Sequence, residues 1–182
     1  MSDELRRRLR ALPSFPAELP SFDPDAAPYA PEALFLEWLD DAVQAGVLAA
    51  HAPVLATTGM SGPSARVLIL RDLDERGWLI GTPFDSRPGI EMSASGQAAL
   101  TFFWPARGRQ VRVEGHVTRA SPEESASDAR ARAEALGVPV VETWALWRIA
   151  TGQVEFWQAS HDRAHIRLRY GRVGEIWERR RL

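Results

Sequence analysis

The chemistry-bearing residues of this chain are arginines set among aromatic and hydroxyl side chains, most densely in EFWQASHDRAHIRLRY, residues 155–170. On a β-strand successive side chains point to opposite faces. Arg163, His165, Arg167 and Arg169 are therefore expected on one face, with Ile166, Leu168 and Tyr170 on the other. A basic stripe with an apolar backing can hold an anion, and Trp157 shares its parity, where an indole can wall a flat ring. His165 adds a group that exchanges protons near neutral pH. His161 and His165 lack a third ligand at metal-site spacing, so no metal is expected.

Two further constellations invite anions. In RVLILR, Arg66 and Arg71 bracket a run of aliphatics, although strict alternation sends them to opposite faces unless a bulge or strand end intervenes. In TPFDSRPGIEM, Thr82, Ser86 and Arg87 stand where a strand runs into a helix start, and free N–H groups with the helix dipole favour a phosphomonoester there. Gln110, in RGRQVRVEG, is placed to hydrogen-bond an amide-rich ring. Each has a plainer alternative: rim arginines in water, a simple serine cap, an exposed glutamine.

The elements that must position these groups read as mostly β. Residues 1–12 suggest a short basic helix, and prolines 13, 16, 20, 24, 28 and 31 then impose an extended arm, so the expected division is an arm over 1–31 and one domain over 32–182. PEALFLEWLDDAVQAG has Pro31 at a helix start, a helical apolar period and a Gly46 stop. Strands are expected at PVLATT, ARVLILRDL, WLIGT, QAALTFFW, RQVRVEGHVTRA, WALWRIA, QVEFWQAS, RAHIRLRY and EIWERRR, with helices at RPGIEMSAS and, from a Ser121 cap to Gly137, at SPEESASDARARAEALG. Many short antiparallel strands with few helices suggest an α+β barrel, which closes its own edges.

Composition excludes several mechanisms. All 22 basic residues are arginine, so a Schiff-base lysine and a P-loop lysine are both ruled out. Cysteine is absent, which removes disulfides, thiolate metal sites and cysteine nucleophiles and fits the cytoplasm. A net charge of -2 argues against nucleic acid as partner, and no segment has the length of a membrane span.

RVLILR, GTPFDSRP, RQVRVEG, WALWRI and EFWQASHDRAHIRLRY occur in the order and spacing of the pyridoxamine/pyridoxine 5′-phosphate oxidases, and the chain resembles that family over residues 32–182. The resemblance implies an antiparallel split β-barrel of the FMN-binding type, a homodimer with FMN at the interface, and a cofactor site of Arg66, Val67, Leu68, Gly81, Thr82, Ser86, Arg87, Gln110, Trp157 and Arg167. It implies a small phosphorylated or anionic substrate at Arg71, Arg132, Arg163 and His165, the last two as catalytic residues, with molecular oxygen as acceptor. The sequence departs from the family at Pro88, which replaces a lysine, at Asp128, which stands in the place of a substrate-phosphate tyrosine, and in a shortened segment before Trp144. These departures keep two alternatives open: a related FMN oxidase of secondary metabolism, phenazine-pathway-like with a non-B6 substrate, or a non-catalytic barrel binding flavin, haem or deazaflavin.

Overall fold

A computed structural model describes residues 3–182. Proline and glycine set most of the element boundaries. Helix α1 (Asp3–Arg10) is followed by an arm with neither helix nor strand, as its prolines require. Helix α2 (Pro31–Gln44) starts on Pro31 and buries Leu34, Phe35, Trp38 and Ala42. Helix α3 (Arg87–Ser95) is capped by the Ser86 hydroxyl, which accepts from the Gly89 N–H. Helix α4 (Pro122–Leu136) opens on a capping box between Ser121 and Glu124 and ends on left-handed Gly137.

The strands are β1 (Val54–Gly59), β2 (Gly62–Val67), β3 (Leu70–Asp74), β4 (Gly77–Pro83), β5 (Gln97–Trp104), β6 (Arg109–Arg119), β7 (Trp144–Gln158), β8 (Ile166–Val173) and β9 (Ile176–Arg181). They form one antiparallel sheet in the order β2-β1-β5-β6-β7-β4-β3, with β8 and β9 added beside β7. The expected mainly-β, α+β architecture is therefore the one observed.

Four expected strands change. ARVLILRDL is two strands, because the Leu68 and Leu70 N–H groups bond the carbonyls of Pro53 and His51 and the chain leaves one end of the sheet order for the other. Arg66 and Arg71 therefore lie on different strands. WALWRIA and QVEFWQAS are one strand, β7, which pairs β6 on one edge and β4 then β8 on the other. RAHIRLRY begins its strand only at Ile166, so Arg163 and His165 sit in the preceding turn rather than on the basic stripe.

A bulge sets the faces of β7. Glu114 pairs with Gln153 but Gly115 pairs with Thr151, leaving Gly152 as an extra residue. Before the bulge Ala145, Trp147 and Ile149 face the core, and after it Val154 and Phe156 do, so parity reverses and Trp157 turns outward. Gly115 permits this, since a Cβ there would lie 2.0 Å from the Ala150 carbonyl oxygen.

Inside, Phe35 packs edge-on against Trp78 at 4.4 Å and beside Phe102 at 4.7 Å, and Trp38 packs edge-on against Phe156 at 5.2 Å. Burying such rings stabilises by roughly 1.5–3 kcal/mol each. Asp41 ties α2 to the barrel by accepting from Arg107 and Arg109, and the Arg109 guanidinium lies 4.4 Å above Trp38.

Candidate cofactor and substrate site

Most of the expected site residues gather into two groups on opposite faces of the sheet. The first is at the end of the β1–β2 hairpin, where Arg66, Ser64 and Thr57 project to the side that Leu55 buries. Arg66 donates to Thr57 Oγ1 at 2.5 Å and to Ser64 Oγ at 2.7 Å, and pairs with Glu91 at 3.2 Å. Arg87, one turn before Glu91 on α3, pairs with its other oxygen at 2.8 Å. The Ser64 and Thr57 hydroxyls and then Arg87 hold the Glu91 carboxyl down to about 2. Two guanidiniums against one carboxylate leave a net charge of +1. The α3 N-terminus stands beside them, with the Thr82 and Ser86 hydroxyls 3.0 Å apart. Arg87 keeps 63% of its side chain exposed, so this end can accept an anionic group.

The second group lies on the outer face. Register places Phe103 beside Gln110, Gln110 beside Trp157, and Trp157 beside Arg167, so four strands contribute one residue each to a single row. The next row runs Thr101, Arg112, Glu155, Arg169, where buried Glu155 accepts from Arg169 at 3.0 Å and lies 4.0 Å from Arg167. A groove of about 400 Å³ follows these rows. It offers one indole face, one amide and two guanidiniums, those of Arg112 and Arg167.

The turn before β8 adds the proton-handling end. Arg163 adopts a left-handed φ of 68°, rare for a side chain of its size. Asp162 supports that conformation by accepting from the Ser160 hydroxyl and from the Ala164 N–H at 2.9 Å, and these bonds hold its carboxyl below the usual range, the Ser160 hydroxyl foremost. The Ser160 N–H donates to His165 Nδ1 at 3.0 Å, so the neutral ring carries its proton on Nε2. His165 packs on Trp157 at 4.8 Å. The arm crosses here: Phe15 packs against Trp157 at 5.8 Å, and His161 Nε2 donates to the Ala17 carbonyl at 3.1 Å.

Arg71, Arg132 and Gly81 belong to a third cluster. Gly81 lies beneath Trp144, whose ring would be 2.4 Å from a Cβ there, and the Arg132 guanidinium lies 4.8 Å over the same ring. Val67 and Leu68 carry backbone bonds to β1 and to Pro53.

Residues 39–175, more than half of the chain, match the family model described as pyridoxamine 5′-phosphate oxidase. The chain belongs to that family. Its curated relatives include a pyridoxine/pyridoxamine 5′-phosphate oxidase of Thermosynechococcus vestitus, 36% identical over 81% of this chain and 86% of the relative. Another, from Pseudomonas putida W619, is 37% identical over 86% and 89%. Among solved structures, PhzG from Burkholderia lata 383, crystallised with tetrahydrophenazine-1-carboxylic acid, superposes with a TM-score of 0.80 at 29% identity, covering 93% of this chain and 99% of that one. The fold is thus the split barrel of the pyridoxamine 5′-phosphate oxidase family.

Of the expected residues, Arg66, Thr82, Ser86 and Arg87 share one end, and Gln110, Trp157, Arg163, His165 and Arg167 share another. Sequence reasoning missed Glu91, Phe103, Glu155 and Phe15. An Arg-x-x-x-Glu spacing on a helix signals the first; the others need the register.

Proposed function

We propose that the protein is an FMN-dependent oxidase acting on a small ring-bearing substrate at an amine or alcohol carbon. The row Phe103, Gln110, Trp157 and Arg167, with a net cationic cluster at a helix N-terminus, is the observation that carries this reading. Arg66, Arg87 and Ser86 would hold the phosphate of FMN, and Gln110, Trp157 and Arg167 the ring and its chain. The residues fit the group: the phosphate end has charge to spare after Glu91, and the outer row has a flat aromatic and an amide donor. Bound FMN would supply a two-electron acceptor for hydride, with molecular oxygen as terminal oxidant.

Arg163 would fix the substrate through its guanidinium, and His165, with Nε2 bearing the proton in the neutral ring, would hold or move a proton at that atom. Trp157 and Phe15 would exclude water from the reacting carbon. Because the two half-sites face opposite sides of the sheet, a homodimer would complete each site, one copy giving the phosphate end and its partner the ring wall. Exposed Val54, Val67, Ile69 and Phe103 support such a contact.

Two substrate classes follow from the relatives. Curated relatives are named for B6 phosphates, whereas the PhzG match, which covers nearly all of both chains, supports a carboxylated tricyclic ring in a secondary pathway. The test is the visible spectrum of the purified protein, then peroxide release with each candidate. Flavin absorbance and stoichiometric peroxide are expected; a colourless protein that refuses added FMN overturns the reading. Arg163→Ala or His165→Ala should lower turnover with flavin retained.

A further inference from the structure

The cleft between β3, β4 and α4 holds three guanidiniums, and every one of them already has a carboxylate. Arg71 donates through Nε to Asp128 Oδ1 at 2.8 Å and pairs through Nη2 at 2.7 Å. Arg148 and Arg76 both bond Asp74 and Glu124. The cleft, about 370 Å³, is also lined by Asp72, so four carboxylates face three cations and the formal balance is -1. Asp128 is the least exposed of the four. Its second oxygen accepts from Trp144 Nε1 at 2.8 Å, and its side chain is only 14% exposed. Trp144 in turn rests on Gly81, the residue before Thr82, so this ion-paired cleft abuts the cationic end of the proposed cofactor site.

We infer that this cleft excludes a phosphate monoester and admits an uncharged or cationic part of the substrate, with Asp128 as the specificity-determining residue. The inference rests on the oxidase reading of the adjoining site and narrows its substrate class. A dianion reaching Arg71 would displace Asp128 and then lie within a few ångströms of it, in a partly buried site where charge repulsion is poorly screened. It would also take Arg71 from the Asp128 carboxylate, leaving that partly buried charge to the Trp144 N–H. A neutral ring edge or an ammonium group leaves the Arg71–Asp128–Trp144 chain intact. A fourth guanidinium nearby, that of Arg132, already lies on the Trp144 face.

The experiment measures calorimetric binding of pyridoxine and of pyridoxine 5′-phosphate to flavin-loaded protein, wild type and Asp128→Asn, at low and high salt. Asparagine keeps the shape and can still accept from Trp144. In the wild type, pyridoxine 5′-phosphate should bind no tighter than pyridoxine. Asp128→Asn should tighten the phosphate ester about tenfold or more, and the gain should persist in high salt because a partly buried charge is little screened. A wild type that prefers the phosphate ester about tenfold, or an Asp128→Asn variant whose phosphate-ester affinity is unchanged, overturns the inference. The wild-type comparison stands even if the variant folds poorly. Failure to take up flavin at the loading step counts against the oxidase reading instead, and is seen before any ligand is added.

Discussion

Replacing Gly115 by alanine tests whether the β6–β7 bulge sets the face on which Trp157 stands. A Cβ at that position would lie 2.0 Å from the Ala150 oxygen, and such contacts do not occur below 3.0 Å, so the two strands must part by about 1 Å. Parting them disrupts about two ladder hydrogen bonds at roughly 1 kcal/mol each and adds overpacking of about 1–3 kcal/mol. The loss of glycine entropy in the unfolded chain returns roughly 0.4–1 kcal/mol. The net destabilisation is about 2–4 kcal/mol, or about 5–15 °C in Tm for a chain of this size. Gly171→Ala on β8 is the control, because nothing lies within 4 Å of its added Cβ. Near-ultraviolet circular dichroism melts of both variants decide the matter. If Gly115→Ala melts within about 2 °C of Gly171→Ala, the close approach does not constrain the strands and the account of the parity reversal is wrong.

Asp41→Ala should destabilise by about 2–3 kcal/mol in urea titration, since it removes the carboxylate from Arg109, whose side chain is 8% exposed; an unchanged midpoint would show that the Gln158 bond and the Trp38 face suffice for that cation. Glu91 has a carboxyl lowered to about 2 against an ordinary 4.5, so its contribution is present above 4.5 and is lost as pH falls towards 2. Melts across that window should fall less steeply in Glu91→Gln than in wild type, and parallel curves would contradict the pairing. Trp157→Ala and Arg167→Ala should each weaken FMN binding by about tenfold or more with the fold retained, read by flavin fluorescence; unchanged affinity would place the ring elsewhere.

Helix and turn boundaries were legible because their signals are local. Pro31, Ser86, Ser121, Gly46 and Gly137 act within one turn of themselves, and each sits at a helix boundary in the structure or within two residues of one. What escaped the sequence depended on partners far along the chain. The break after Val67 is fixed by bonds to Pro53 and His51, and the union of two expected strands into β7 by continuous pairing with β6. The stripe over residues 163–169 was half right: Arg167 and Arg169 do share an outward face, while the Asp162 and Ser160 bonds hold Arg163 and His165 in a turn. Gln110, chosen for its alternation with valines, does face the groove, but its neighbours Phe103 and Trp157 emerge only from register across three strands.

The parity reversal has a consequence for how such a site can be built. Along one row Arg66, Leu55, Leu100, Val113 and Val154 face inward together, and along another Phe103, Gln110, Trp157 and Arg167 face outward together. A flat cofactor that touches both Arg66 and Trp157 of a single copy would have to pass through a sheet whose interior is filled by Phe102, Val111 and Phe156, all fully buried. Close packing leaves no such passage. Either the two groups serve different ligands, or a second copy supplies the missing half, its outer row laid against the cationic end of the first. The second arrangement would also cover Phe103 and Val67, which are 52% and 62% exposed in the single chain. It gives the apolar part of the outer face and the surplus charge beside Glu91 a common purpose, which the first leaves unexplained.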